Sequence, residues 1–580
     1  MASRTILPGR ELDQVSTGCC FAHRALWSGL PTVMIGLFLV NDAKRSNVGV
    51  SRERRRRLNP DSLVGPIVTF TIYLGLMVAM AVYFYSRTQS QSDFVLGGRK
   101  LGSLVTALSA NASDFSGWLL LGLPGAIYAS GLGEAWIAVG LASGFLGSWI
   151  LLAPRLRVYT ERVTDSRHGG ESNSLTLSAF LENRFNDRTR LLRAVSAILI
   201  IVFYFFYVAS GMTAMMSLFD QVFGLNPELA VLIGLGIVVA YTVIGGYLAV
   251  SVTDVVQAMM MWLALLVVPV VAISFLGGLG AVADGVNANG ENLMSAFGGS
   301  TLTDGAWVST ETLGWVVIVS GLAWGFGYFG QPHILARYMG IRSLKDIPKA
   351  AAISVTWAVT AMALALLVGF VGISYFDTPL DDPEQVFPRL IDALMNPWVA
   401  GFLLAAILAA VMSTADSQLL VASSAITEDG YKAFVNKDAD PKTLMWLSRL
   451  AVVVVAVVAA LVALYGDQSV MGLVGYAWAG FGAGFGPVLV LAVFWRRMTW
   501  AGALAGMIAG ATTAIIWDTV DEAYLGIGLY AMVPAIALSV LCVFVFNGLG
   551  KVSPQMEEDF DRVQAELKAG GRDDEPQPVA

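Results

Sequence analysis

The stretch SANASDFSGWLLLGLPG, residues Ser109–Gly125, decides the fold. It lies inside a long apolar run and carries one acid, Asp114. A charge at mid-bilayer is costly, so it normally faces a partner or a water-filled cavity. Asn111, Ser113, Asp114, Ser116 and Gly117 all compete with or loosen the helical ladder, and Pro124 follows within two turns. This pattern predicts a helix broken near residues 112–117. Carbonyls freed at such a break can ligate a small cation, as in many secondary transporters. The competing reading is a kink held by Ser and Asp side chains, with no ion.

Composition says what surrounds that break. Apolar residues are 56% of the chain and charged residues 14%, and mean hydropathy is +0.66. Soluble domains are closer to half apolar and a quarter charged. The excess comes as repeated apolar runs of about 20 residues, the length needed to cross a bilayer. The runs are continuous and rich in Leu, Ala, Val and Gly, which disfavours the alternating strands of a membrane barrel. Cys19, Cys20 and Cys542 form no spaced set, and three His offer no metal cluster. The net charge of −7 carries no nucleic-acid message.

Thirteen spans are expected, at roughly 62–86, 104–130, 133–154, 194–219, 227–250, 253–277, 311–336, 350–376, 397–427, 443–465, 469–494, 499–518 and 523–546. Loop charge then sets orientation. Arg87, Arg99 and Lys100 follow the first span, eight basic residues fill 155–193, and 278–310 has none. Residues 337–349 carry Arg337, Arg342, Lys345 and Lys349, whereas 377–396 carry only Arg389, amid Asp377, Asp381, Asp382 and Glu384. The alternation places the C-terminus in the cytoplasm and, with an odd number of spans, the N-terminus outside. Arg52 and Arg54–Arg57 break this rule. Residues 1–61 are therefore read as an extension, disordered or an upstream start translated only on paper. A signal-like region or an extra half-span around 25–40 are the alternatives. At the other end, 551–580 reads as a polar cytoplasmic tail with a short helix. Ser553 is its N-cap, and Met556, Phe560, Val563 and Leu567 form one stripe. A solvated helix is preferred there over one docked on the membrane surface.

Two more clusters interrupt apolar spans. In LAAVMSTADSQLLVASSAITEDGYK, residues 408–432, Ser413 and Thr414 offer adjacent hydroxyls. Sodium is a hard cation that prefers oxygen, and two hydroxyls with three carbonyls would make a modest cage. Hydrogen bonds back to carbonyls of their own helix are the competing reading. In SGLAWGFGYFGQPHILARYMG, residues 320–340, Trp324 and Tyr328 share a helix face, glycines thin the helix around them, and Pro332 removes a backbone bond. An aromatic-lined gap there suits a small organic ligand, against the alternative of an interfacial aromatic belt. His333 is read as a satisfied hydrogen-bonding group. Asp254, at a span end, is read either as lining an ion exit path or as a helix N-cap. GYAWAGFGAGFGPVL, residues 475–489, fits close helix packing or a flexing element better than phosphate binding.

DFVLGGRKLG, SANASDFSGWLLLGLPGAIYASG, GGYLAVSVTDVVQ, LAWGFGYFGQPHILARYM and AAVMSTADSQLLVASSAITEDGYK together resemble the solute:sodium symporter family, closest to its bacterial sodium/proline symporters. The resemblance covers roughly 63–500. It implies an all-α polytopic fold of about 13 transmembrane helices with a five-plus-five inverted-repeat (LeuT-type) core. The repeats would be 104–277 and 311–494, each opening on a broken helix. A peripheral first helix would occupy 62–86 and two more would occupy 499–546. Carried over residue by residue, sodium would be held by the backbone oxygens of Ala112, Phe115 and Ala410 and the hydroxyls of Ser413 and Thr414. Asp114 would support that site and Asp254 would sit near the inner ion path. The solute pocket would draw on Ser116, Gly117, Trp118, Tyr207, Trp324, Tyr328 and Pro332. Asp416 is less familiar and adds a charge close to the proposed cage.

The resemblance implies sodium-coupled uptake of L-proline by alternating access, in the cell membrane. Na+ would be the coupling ion, with no cofactor, no enzymatic activity, no nucleic acid and no obligate protein partner beyond lipid. Another solute of the same transport class (pantothenate, a sugar, a monocarboxylate) is the first alternative, and a non-transporting membrane sensor the second. A channel lacks a filter sequence, and an enzyme lacks a paired acid/base or nucleophile set.

Overall fold

The computed structural model describes residues 60–85, 91–163, 173–310, 312–466 and 469–570. Most of the N-terminal extension, 1–59, lies outside the described residues, and so does the end of the tail. Among the described residues, ten helices are long and apolar enough to cross a membrane, and a shorter apolar helix spans Trp315–Phe329. Two of the ten are bent runs. The run Trp118–Arg162 turns at Gly131 (φ 74°), and Pro227–Leu276 turns at Gly246 (φ 65°). Counting each bent run as two and adding the short helix gives thirteen segments, numbered here as spans in chain order.

Span 1 is Pro60–Tyr85, and span 2 covers residues 103–130. Span 3 covers 135–162, and span 4 is Leu191–Phe223. Spans 5 and 6 are 227–245 and 247–276. Span 7 covers 315–340, span 8 is Ile347–Tyr375 and span 9 is Pro397–Ser424. Spans 10 to 13 are Pro441–Tyr465, Val470–Phe494, Trp500–Val520 and Met532–Phe546. Span 3 runs well past the expected edge at 154, and span 6 starts before the expected 253. Arg155, Arg157 and Arg162, counted at first as loop charges, therefore lie on the last turns of span 3.

Spans 2 and 7 are both broken, and they stand five apart in the chain. The first half of span 2 is Ser103–Asp114, ending at Phe115 (φ −80°, ψ 81°), whose N–H still donates to the Asn111 carbonyl. Span 7 tightens into a 3₁₀ run at Trp324–Phe329, opens at Gly330 and Gln331, and restarts at Pro332. Spans 3 and 7 cross with backbones nearly touching: a Cβ built at Gly144 would stand 2.0 Å from the Gly325 carbonyl oxygen. Only glycine fits there.

The connection 278–310, read as a bare loop, has structure of its own. It forms a helix, Leu279–Asn289, and an antiparallel hairpin of β1 (Gly299–Thr303) and β2 (Ala306–Thr310). The Asp304–Gly305 turn has positive φ at both residues, the geometry of the favoured two-residue hairpin. Trp307 pins the hairpin by donating to the Tyr128 carbonyl at 2.7 Å.

The tail helix, Pro554–Lys568, docks on protein rather than standing free in solvent. Ser553 caps it, Met556 and Val563 are buried, and Phe560 packs near Tyr159 of span 3. Arg496 pairs with Asp561 at 2.8 Å and Glu557 at 3.1 Å. These pairs are largely exposed and worth at most about 1 kcal/mol, less than the roughly 1.5–3 kcal/mol for burying a large apolar side chain. Met556→Ala is therefore expected to release this helix to limited proteolysis more than Arg496→Ala does, and only the Arg496 effect should be mimicked by high salt.

Candidate functional site

The break in span 2 faces the middle of span 9. Ser413 Oγ donates to the Ala112 carbonyl at 2.7 Å and lies 3.1 Å from that of Ala410, while Thr414 Oγ1 donates to Ala112 at 3.2 Å. All these residues are buried. Four of the five oxygens expected around sodium thus converge on one point. The fifth, on Phe115, belongs to a residue whose ψ turns its carbonyl out of the helical ladder. Hard-cation ligands at about 2.4 Å, set at right angles, stand about 3.4 Å apart. The oxygens seen here need to part by only several tenths of an ångström to admit such an ion.

Asp114 is the last residue of the first half of span 2. Its Oδ2 accepts a 2.6 Å hydrogen bond from the Tyr328 hydroxyl, so it joins the two broken spans near their breaks. Oδ1 is buried without a protein partner among the described residues. Around this pair stand the aromatic residues. Trp118 lies 6.5 Å from Trp324, centroid to centroid, and Trp324 stacks on Tyr530 at 5.1 Å. Tyr328 meets Trp478 edge-on at 5.1 Å, and Tyr207 contacts both Trp478 and His333. Trp478 donates to the Trp324 carbonyl at 2.7 Å, which fixes the 3₁₀ run of span 7. Ser116 is buried in the break, where its hydroxyl accepts from the Trp118 N–H at 3.4 Å. A Cβ on Gly117 would meet Ala214 at 2.8 Å and Val411 at 3.4 Å, so span 2 lies hard against spans 4 and 9. Pro332 stands apart from the other pocket candidates. It lines an apolar groove with Leu96, Ile200, Ala336 and Leu420.

Asp254 is no N-cap: it lies within span 6, well after its start at Tyr247, and is fully buried. Its Oδ2 pairs with Arg337 Nη2 at 3.2 Å and accepts from Ser109 Oγ at 2.7 Å. Arg337 also donates to Ser109 Oγ (3.1 Å), the His333 carbonyl (3.0 Å) and Ser417 Oγ (2.5 Å). One guanidinium therefore binds the first half of span 2, the second half of span 7, span 6 and span 9. Ser417 in turn donates to the Ser413 carbonyl at 2.8 Å and touches Asp416 Oδ1 at 3.1 Å. Asp416 is buried beside this network rather than exposed to solvent.

Arg337 is the principal residue that the sequence reading missed, because it was counted as a loop charge. Arg99, Arg157 and Arg184 are buried too. Arg99 donates to the Met339 carbonyl at 2.5 Å and Arg157 to that of Ile341 at 2.7 Å, satisfying carbonyls at the end of span 7. The detectable signal for Arg337 was a lone cation in the otherwise apolar run ILARYM. Glu384 was also missed. Its carboxylate accepts from the Val470 and Met471 N–H groups at 3.2 and 3.0 Å, capping span 11 from the connection between spans 8 and 9. Burial pushes its carboxyl above the ordinary range, and those two donors pull it partly back.

Residues 94–510 match the profile of the Sodium:solute symporter family. The chain is 46% identical over 486 residues to the "High-affinity proline transporter PutP" of Bacillus subtilis, covering 83% of this chain and 98% of that protein. It is 46% identical over 507 residues to the "Sodium/proline symporter" of Escherichia coli, covering 86% and 96%. Among solved structures, it resembles a Na+-coupled sialic acid symporter in a substrate-bound outward-open state. That likeness has TM-score 0.69 and 19% identity, and covers 84% of this chain and 99% of that one. The fold is accordingly an all-α, LeuT-type five-plus-five core in a multi-pass membrane protein.

Proposed function

The chain belongs to the sodium:solute symporter family, and on that premise we propose that it takes up L-proline together with sodium by alternating access. The observation that carries this reading is the meeting of the Ser413 and Thr414 hydroxyls with the Ala112 carbonyl at the break of span 2. Sodium at that point ties span 2 to span 9 and holds the break in one arrangement. The same break carries Ser116, Gly117 and Trp118 toward the aromatic pocket, so ion and solute stabilise a common geometry. Each then raises the other's affinity by the same factor. One charge crossing 100 mV supplies about 2.3 kcal/mol, or roughly fortyfold to fiftyfold accumulation before the sodium gradient is added.

Sodium is held by Ala112, Phe115, Ala410, Ser413 and Thr414, with Asp114 in support and Asp254 on the inner side. Proline is held by Ser116, Gly117, Trp118, Tyr207, Trp324 and Tyr328, with Pro332 opening the second half of span 7. The repeats are 104–277 and 311–494, a reading supported by the broken span that opens each. The C-terminus is cytoplasmic. With the buried arginines set aside, exposed Lys100, Arg342, Lys345, Lys349, Lys437 and Lys442 keep the basic excess on one face. Transport proceeds without chemical change to the solute.

The decisive test is uptake of labelled L-proline into proteoliposomes with sodium, lithium or proton gradients imposed separately. Accumulation that ignores the sodium gradient would refute the coupling. For the ion site, Ser413→Ala or Thr414→Ala removes a charge-assisted ligand worth about 1.5–3 kcal/mol. The sodium concentration for half-maximal uptake should rise about tenfold or more, with maximal rate changed far less. Unaltered sodium dependence in both variants would remove these hydroxyls from the site.

A further inference from the structure

His333 follows the break of span 7 directly and is fully buried. Its hydrogen-bond partners favour one of the two ring tautomers. The Tyr204 hydroxyl oxygen accepts from the His333 backbone N–H at 3.0 Å and lies 3.1 Å from His333 Nδ1. With its oxygen already accepting from the main chain, Tyr204 has its own proton free to donate to Nδ1. A neutral imidazole that accepts at Nδ1 carries its hydrogen on Nε2. That Nε2–H has no protein partner among the described residues, and neither does the hydroxyl of Tyr207. The two rings are neighbours, at right angles, with centroids 5.6 Å apart, and Tyr207 also contacts Trp478 of the aromatic cluster. Two buried, unpaired hydrogen-bond donors side by side are costly unless an acceptor meets them.

We infer that the Nε2–H of His333 and the hydroxyl of Tyr207 together receive the carboxylate of the transported amino acid, which makes His333 a specificity-determining residue. The inference rests on the reading of this pocket as the proline site and deepens it. Tyr204 acts as the positioning residue that holds the required tautomer. The aromatic rings of Trp118, Trp324 and Trp478 pack the apolar remainder of the solute. A solute lacking the carboxylate leaves both donors buried and unpaired, which is the arrangement that discriminates most strongly against such analogues.

The test compares two amides at position 333 by sodium-driven uptake of labelled L-proline in proteoliposomes, with unlabelled pyrrolidine, which keeps the ring and amine but carries no acceptor in place of the carboxylate, as competitor. His333→Asn keeps an acceptor near the Nδ1 position for Tyr204 and loses the Nε2 donor, whereas His333→Gln places its amide nitrogen near Nε2. His333→Asn should raise the proline KM at least tenfold. Maximal rate, sodium dependence at saturating proline and inhibition by pyrrolidine should stay within about twofold. His333→Gln should recover most of the lost affinity. Should His333→Asn fail to fold, Tyr207→Phe removes the other donor and should give the same loss, confined to the carboxylate-bearing solute. An unchanged proline KM in these variants, or a parallel loss of pyrrolidine inhibition, would overturn the inference while leaving sodium-coupled proline uptake by the unaltered protein intact. Failure of the unaltered protein to accumulate proline would be a different result and would take the inference down with the reading beneath it.

Discussion

Arg337→Ala is expected to abolish uptake and to cost about 3–5 kcal/mol of stability, the penalty for leaving a buried charge without its partner. Asp254 and Arg337 are both fully buried, and the guanidinium makes four contacts that join four spans. Removing it leaves the Asp254 carboxylate without its counter-charge and takes a donor at once from the Ser109 and Ser417 oxygens and the His333 carbonyl. The functional loss follows from where those groups lie. Ser417 donates to the carbonyl of Ser413, and the Ser109 carbonyl accepts from Ser113 at 2.6 Å, one residue before Asp114. Both walls of the proposed sodium site therefore rest on this one side chain. Thermal unfolding of the purified protein in detergent measures the first effect and proteoliposome uptake the second. Pairing Arg337→Met with Asp254→Leu should restore much of the stability, because a buried ion pair replaced by apolar groups of similar volume is often neutral. Recovery should remain incomplete until Asp416, the second carboxylate of this cluster, is replaced by serine as well. Full recovery in the two-site variant would mean that Asp416 carries no charge. A melting temperature unmoved by Arg337→Ala would remove the ion pair from any structural role.

How far this was legible in the sequence differs between the apolar frame and its polar contents. The spans could be read because a bilayer demands about 20 apolar residues whatever they pack against. The break near 115 was also visible, since Ser, Asn, Asp and Gly crowded into an apolar run conflict with the ladder locally. The meeting of Ser413 with Ala112 joins residues 301 positions apart. No local pattern encodes that, and it came from resemblance to a family. The basic residues misled for a physical reason. Loop-charge counting treats every arginine near a span end as solvated, yet the five N–H donors of a guanidinium also suit it to clamping helix-end carbonyls. Arg99 and Arg157 do so at the end of span 7, while Arg337 is held inside the protein by Asp254. The tail stripe was legible as a helix, but its docking partner Tyr159 lies some 400 residues away, and amphipathicity alone does not tell protein from solvent. The hairpin at 299–310 was not legible because its strands are only five residues each and carry few apolar side chains, which leaves the Asp304–Gly305 turn as its one local signal.

Asp114→Asn is expected to raise the sodium concentration for half-maximal uptake roughly fiftyfold. Asp114 stands two residues beyond Ala112, a backbone reach of roughly 7 Å, which is taken as the separation of its carboxylate from the proposed ion. At an effective dielectric near 20 such a pair is worth about 2–3 kcal/mol. Asparagine keeps the shape and an oxygen to accept from Tyr328, so the loss isolates charge from geometry. Asp114→Leu should be worse, because it also leaves the Tyr328 hydroxyl buried and unpaired. One rival assignment is that Oδ1, which has no protein partner among the described residues, binds the cationic nitrogen of the solute. The two are separable by linkage. If Asp114 acts on sodium, raising sodium returns the proline KM of the Asn variant toward that of the unaltered protein, and raising proline lowers the sodium requirement by the same factor. If Asp114 acts on the solute, the proline KM stays high at saturating sodium. That outcome would move the carboxylate from the ion to its guest, leaving the cage of Ala112, Ala410, Ser413 and Thr414 to hold sodium with neutral oxygens alone.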